Sequence, residues 1–298
     1  MKNTKDILLT MLAPILWGST YIITSMLIPI NKPIFVALMR GLPIGLILLL
    51  YYRQFPKGIW LIKSIILGTL NIGGFFLFLF ISAYRLPGGI ASILGSVQPI
   101  FTIFFSWLFL KENPTKNSFI AVLMTITGIS LLLLKQDAAI DLVGVISALI
   151  GAIFMALGIV LTKYWGKPDK IHNMAFTSWQ LFFGSLILIP ITFLVEGGIP
   201  TLNSSNILGL IILGIFNTGL GYYLWFRGIA KLSPTKVSFL GPVNPLTAFL
   251  LGFIFLKQTI NPVQLLGVII IIFSVYFSQN KTLPKINYPV NNSKNITF

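Results

Sequence analysis

The chain has 298 residues, of which 56% are hydrophobic and only 9% charged, where a soluble domain carries roughly a quarter. A net charge of +15 in a soluble protein would suggest nucleic acid, but here the basic residues fall between long apolar runs. That pattern excludes a nucleic-acid partner and points to a lipid bilayer. With no Cys and one His, His172, the chain has no disulfide framework, thiolate chemistry or sulfur-bound metal.

Breaking the hydropathy at charges, Pro and Asn predicts ten membrane spans. They run over roughly 7–28, 33–52, 61–84, 88–110, 117–134, 142–163, 173–195, 206–226, 233–256 and 262–278. The first run follows Met1-Lys2-Asn3-Thr4-Lys5, is too long for a signal-peptide core and lacks an Ala-x-Ala site, so it reads as a span. Residues 280–298 are polar, Asn-rich and Lys-bearing and read as a disordered tail. Of the 21 Lys and Arg, fifteen fall on the side of the N-terminus, from Lys2 and Lys5 through Arg53, Lys57, Lys63, Lys111 and Lys116 to the tail. Only Lys32, Arg85, Lys135 and Lys257 fall on the other side, while Arg40 and Lys236 lie within spans. The bias places both termini in the cytoplasm of a multi-pass inner-membrane protein.

The chain also repeats itself. Slid by 146 positions without a gap, 67–115 falls on 213–261: Leu67-Gly68 on Leu213-Gly214, Asn71 on Asn217, Gly73 on Gly219. Further on, Gln98-Pro99 falls on Asn244-Pro245, and Phe109-Leu110-Lys111 on Phe255-Leu256-Lys257. Weaker echoes set Leu16-Trp17-Gly18 beside Phe154-Met155-Ala156 and Arg40 beside Gln180. Five spans per copy is an odd number, so the second copy is upside down in the membrane. The expected fold is all-α: ten transmembrane helices in two inverted five-helix repeats, 1–137 and 138–279. Such pairs place a substrate site near the midplane and expose it alternately to each side.

Candidate site residues follow from polarity inside apolar runs. Gln98-Pro99 and Asn244-Pro245 each fall near the middle of a predicted span, where a proline frees a carbonyl and the amide can satisfy it or face a cavity. Arg40 lies about eight residues, roughly 12 Å, into the second span, where a cation faces the bundle interior, a cavity or, by snorkelling, the interface. It either meets a substrate or serves the bundle structurally. Asn71 and Asn217, each flanked by Gly, are expected to bond helix to helix or line the pathway. Trp17, Trp179 and Tyr222 either pack the core or shape a cavity. Lys236 is expected to snorkel, and Trp60, Tyr164, Trp165 and Tyr276 read as interfacial anchors.

Absences narrow the class. The six acids, Asp6, Glu112, Asp137, Asp141, Asp169 and Glu196, all fall at span ends or in loops. No mid-membrane carboxylate is available for a proton relay or a lipophilic cation. No Gly-rich phosphate loop ends in Gly-Lys-Ser/Thr, and no catalytic or metal constellation is visible, so neither an enzyme nor a cofactor is expected.

Leu16-Trp17-Gly18-Ser19, Leu38-Met39-Arg40, and the run from Ala91 through Gln98-Pro99-Ile100-Phe101 to Leu110-Lys111-Glu112 carry a resemblance. In their order the chain resembles the ten-helix EamA-type carriers of the drug/metabolite transporter superfamily. The second copy departs from that pattern at Gln258, where a Glu is usual. The run Tyr84-Arg85-Leu86-Pro87-Gly88-Gly89 looks like a subgroup of pigment or metabolite exporters. The resemblance implies the fold and the transporter class but not the substrate. The expected function is a secondary carrier, monomeric or homodimeric, that exports a small amphipathic metabolite such as an amino acid. A lipid flippase and a non-transporting membrane scaffold are the alternatives.

Overall fold

The structure is a computed structural model that describes residues 2–28, 32–85, 94–95, 97–133, 141–256 and 262–279. The tail 280–298, Lys135, Asp137, Lys257 and Gln258 lie outside those residues, as does most of the run 84–89. Ten helical stretches follow in order. Span one is Lys2–Gly18 and Thr20–Leu27; span two Pro33–Tyr52; span three Ile59–Gly68, Thr69–Gly73 and Gly74–Arg85. Span four is Gln98–Leu110, span five Lys116–Leu133 and span six Leu142–Trp165. Span seven is Asn173–Leu186 and Leu188–Glu196; span eight Ser204–Ile212, Leu213–Leu220 and Gly221–Lys231. Span nine is Pro234–Ser238 and Val243–Leu256, and span ten Pro262–Gln279. Continuous helix in spans two, three, six, seven and eight is long and apolar enough to cross a membrane.

The ends are set by local chemistry. Asp141 caps span six by accepting from Gly144 N–H at 2.8 Å. Asn203 and Asn206 form a capping box at the start of span eight. Arg53 and Lys111 close spans two and four in left-handed conformation.

The packing carries the repeat into three dimensions. Spans two and seven pack against each other, as do spans five and ten. Span three packs on span six and span eight on span one; span four packs on span six and span nine on span one. Each contact has its repeat mate, and every one of these pairs joins the two halves. Small residues permit the closest crossing, since a Cβ on Gly68 would lie 2.7 Å from the Gly184 nitrogen.

Both repeat-matched asparagines sit in π-helical turns, Thr69–Gly73 in span three and Leu213–Leu220 in span eight. A π-turn widens the helix by one residue and leaves backbone and side chain displaced from the regular ladder, a geometry frequent at functional sites.

Pro99 and Pro245, expected as helix breaks, each stand beside a turn of the chain. Each lies in the first turn of its helix, Gln98–Leu110 and Val243–Leu256, after turns at Val97 and at 239–242. A proline there costs little, because its missing N–H has no partner within the helix. Among the described residues the chain turns shortly before each proline, at Val97 and at 239–242, and Gln98 and Asn244 stand beside those turns.

Candidate functional site

Arg40 is at the centre. It is buried in span two, with 5% of its surface exposed. Its Nε donates to Thr218 Oγ1 of the span-eight π-turn at 3.2 Å, and its Cζ lies 5.0 Å from the Phe76 ring centroid. No carboxylate among the described residues pairs with it. A cation desolvated to this degree with one neutral hydrogen bond and one aromatic face is under-compensated.

Aromatic side chains adjoin it. Phe76 meets Tyr222 edge-on at 6.1 Å, and Tyr222 lies within electrostatic reach of the guanidinium. Trp17 packs on Tyr222 at 4.9 Å and on Trp225 at 5.1 Å. Trp17 also donates from Nε1 to the Asn217 carbonyl at 2.8 Å. The buried Trp225 Nε1 has no hydrogen-bond partner. Arg40, Trp17 and Tyr222 are thus brought into one cluster from spans two, one and eight.

The asparagines bind the halves together. Asn217 Nδ2 reaches span one, donating to the Leu16 carbonyl at 2.7 Å, Thr20 Oγ1 at 3.0 Å and Ser19 Oγ at 3.1 Å. Asn71 Nδ2 reaches spans seven and six, donating to Gln180 Oε1 at 2.8 Å and Thr162 Oγ1 at 3.1 Å. Gln180, the repeat counterpart of Arg40, is therefore engaged with the span-three π-turn just as Arg40 is with that of span eight. Asn71 Oδ1 and Gln180 Nε2 are buried without partners.

Gln98 Nε2 is likewise buried and unpartnered, and the Asn244 carbonyl lies where a Cβ on Gly18 would be 2.7 Å away. Trp179 is elsewhere. Its Nε1 donates to the Gln54 carbonyl at 2.6 Å, and it packs with Leu49, Leu67, Leu161 and Phe176 at the N-terminal end of the bundle. Trp179 thus takes the core-packing alternative and stands apart from Trp17 and Tyr222.

Nothing in the residues alone marks Phe76, one of 25 phenylalanines. Thr218 had a signal in its neighbour Asn217, and Trp225 in its i+3 spacing from Tyr222.

Two ion pairs close opposite ends of the bundle. At the head of span one, Asp6 accepts from Arg227 at 2.7 Å, with Lys231 at 3.5 Å, both at the end of span eight. At the head of span six, five crossings later, Asp141 meets Arg85 of span three at 3.2 Å. Arg85 and Lys231 are 146 residues apart, so Arg85–Asp141 and Lys231–Asp6 are repeat mates, while Arg227 has no basic counterpart in the first copy. The Asp6 and Arg227 side chains are 17% and 16% exposed, those of Asp141 and Arg85 35% and 49%. Burial pushes the Asp6 carboxyl up, but the Arg227 hydrogen bond and the charges of Lys231 and Arg227 together hold it below its usual range. The Gly144 amide, then Arg85, does the same for Asp141.

A bundle of paired apolar halves, joined through buried amides around a cation with no carboxylate partner among the described residues, is the architecture of a membrane transporter. The chain belongs to the EamA-like transporter family, whose model matches residues 4–134 and 142–279. It is 40% identical over 271 residues to Protein PecM of Dickeya dadantii, covering 91% of each chain. It is 25% identical to the uncharacterized transporter YvbV of Bacillus subtilis, covering 95% of this chain and 94% of the other. It is 26% identical to the uncharacterized inner membrane transporter YedA of Escherichia coli K12, covering 88% and 86%. A solved crystal structure superposes with a TM-score of 0.78 at 16% identity, covering 93% of this chain and 96% of the other, a likeness of fold. The protein is a multi-pass membrane transporter and not an enzyme.

Proposed function

We propose that this transporter is a secondary carrier that exports a small amphipathic metabolite bearing a carboxylate, an amino acid or a related compound, across the cytoplasmic membrane by alternating access. One observation carries this reading: Arg40 is buried with no counter-ion among the described residues. A carboxylate arriving at the guanidinium supplies the missing charge in a low-dielectric site, where bidentate pairing is strong. Trp17 and Tyr222 shape the apolar side of the ligand, and Gln98 and Asn244, beside the two turns, supply hydrogen bonds. Asn71 and Asn217, already engaged between the halves, hold the site together, and Trp179 supports it only through the span-two and span-seven seam.

Alternating access rests on the ion pairs at the two ends of the bundle. The more buried pair, Asp6–Arg227 at the N-terminal end, is the closed one, and the exposed Arg85–Asp141 pair marks the end poised to open. Exchange between access states reverses which pair is sealed. With both termini cytoplasmic, this is an outward-leaning state of halves divided near residue 137, working as a monomer or within a homodimer.

The test is ligand-induced thermal stabilisation of the purified protein against amino acids, organic anions, nucleotides, lipophilic cations and lipid headgroups. A carboxylate-bearing solute at 100 times its dissociation constant should stabilise wild type by about 2.7 kcal/mol and Arg40→Gln by almost nothing. Equal stabilisation of both proteins removes Arg40 from the site.

A further inference from the structure

At the N-terminal end of the bundle, the loop between spans two and three meets the loop between spans six and seven. His172 N–H donates to Gln54 Oε1 at 2.8 Å, the Tyr52 and His172 rings stack at 4.6 Å, and Trp179 Nε1 holds the Gln54 carbonyl. These contacts fix both loops around an open hollow of about 440 Å³. Its polar lining is Arg53, Gln54 and Lys57; its apolar lining includes Phe55, Trp60 and Trp179. Two cations and no carboxylate therefore face one space, while Asp169, the acid of the second loop, is exposed and outside the lining. Beside it, Lys63 Nζ lies 4.6 Å from the Trp60 ring centroid and 5.4 Å from that of Trp165, adding a third positive charge.

The hollow is not an isolated anion pocket. Along its rim Phe55 is 49% exposed, and on the following helix Ile59 and Ile62 are 60% and 55% exposed. Apolar side chains so exposed on a spanning helix face lipid tails, and the Trp60 and Trp165 rings mark the headgroup level. A basic mouth continuous with an apolar helix flank matches a molecule with an anionic head and a hydrocarbon tail. Free phosphate would use only the mouth.

We propose that this hollow binds an anionic phospholipid, with Arg53 and Lys57 on its phosphate and its acyl chains along Phe55, Ile59 and Ile62. The site lies on the seam of spans two and seven, so one lipid touches both halves of the carrier. It is separate from the Arg40 cluster and stands whether or not Arg40 binds a carboxylate.

The test is native mass spectrometry of the full-length, detergent-purified protein offered phosphatidylglycerol or phosphatidylcholine. Wild type should retain one phosphatidylglycerol in clear preference to phosphatidylcholine. Arg53→Gln with Lys57→Gln should cut that retention roughly tenfold or more, at about one charge's attraction per residue. Lys111→Gln with Lys116→Gln, removing as much exposed charge from the same end, should leave it unchanged, and millimolar inorganic phosphate should not displace the lipid. Equal losses in the two double variants would reduce the effect to general surface charge and overturn the site. Displacement by phosphate would make it a free-anion site, and absence of a preference in wild type would remove it. Melting curves of both double variants confirm that they fold; the wild-type preference and the phosphate competition decide the matter even if one does not.

Discussion

Span three crosses span seven, and span eight crosses span two, at repeat-matched glycines, yet the two crossings differ. A Cβ on Gly68 would meet the Gly184 nitrogen at 2.7 Å, and one on Gly73 would meet the Gly184 carbonyl at 2.3 Å. At the matching positions of the second copy, a Cβ on Gly214 would find only the Arg40 carbonyl at 3.8 Å, and one on Gly219 the Ile44 side chain at 3.1 Å. The first crossing is backbone on backbone and is filled by the neutral pair Asn71 and Gln180. The second is looser and holds Arg40. The duplicated frame is symmetric, while the charge and the room around it are confined to one of the two crossings. In the proposed carrier, a carboxylate-bearing ligand would be held there in one orientation, its anionic end toward span two.

The largest effect expected from this contrast is on folding. Gly68→Ala forces backbone apart and should cost roughly 1–3 kcal/mol, with loss of folded yield. Gly214→Ala should be nearly neutral; size-exclusion profiles and melting temperatures compare them, and equal damage would erase the difference between the crossings. Next come the asparagines. Asn217→Ala abandons three acceptors on span one and should cost roughly 1–2 kcal/mol, whereas Asn71→Ala, which also removes an unpartnered buried oxygen, should cost less than about 1 kcal/mol. The reverse order in thermal unfolding would contradict the bonding described.

The smallest effect concerns the ion pairs. Asp6 has a depressed carboxyl pKa in the folded protein, so its contribution is present above the ordinary Asp range and is lost as pH falls through it, below about pH 4. The stability difference between wild type and Asp6→Asn should be at most about 1 kcal/mol at pH 7 and shrink as pH drops below that range. A difference that does not change with pH would mean that the Asp6 charge plays no part.

Much of the frame was legible in the sequence because apolar length reports spans and a gapless offset reports duplication. The matching of Asn71 to Asn217 led straight to the two π-turns, although nothing in the residues shows a ladder widened by one position. Arg40 stood out because a cation inside an apolar run has few places to go. The prolines marked where the helices Gln98–Leu110 and Val243–Leu256 begin, because a missing N–H is cheapest in a first turn. Phe76 was overlooked, and Trp179 was left open between core and cavity, because one-dimensional hydropathy does not tell which neighbour a helix face meets. Glu112 does follow the end of span four, but its 4% exposure was not legible from hydropathy.

The most direct test is counterflow of carboxylate-bearing solutes into proteoliposomes containing wild type or Arg40→Gln, each checked for folded protein. The account predicts saturable exchange by wild type and its loss in Arg40→Gln, with the folded fraction retained. Undiminished exchange of the same solutes by Arg40→Gln would contradict it.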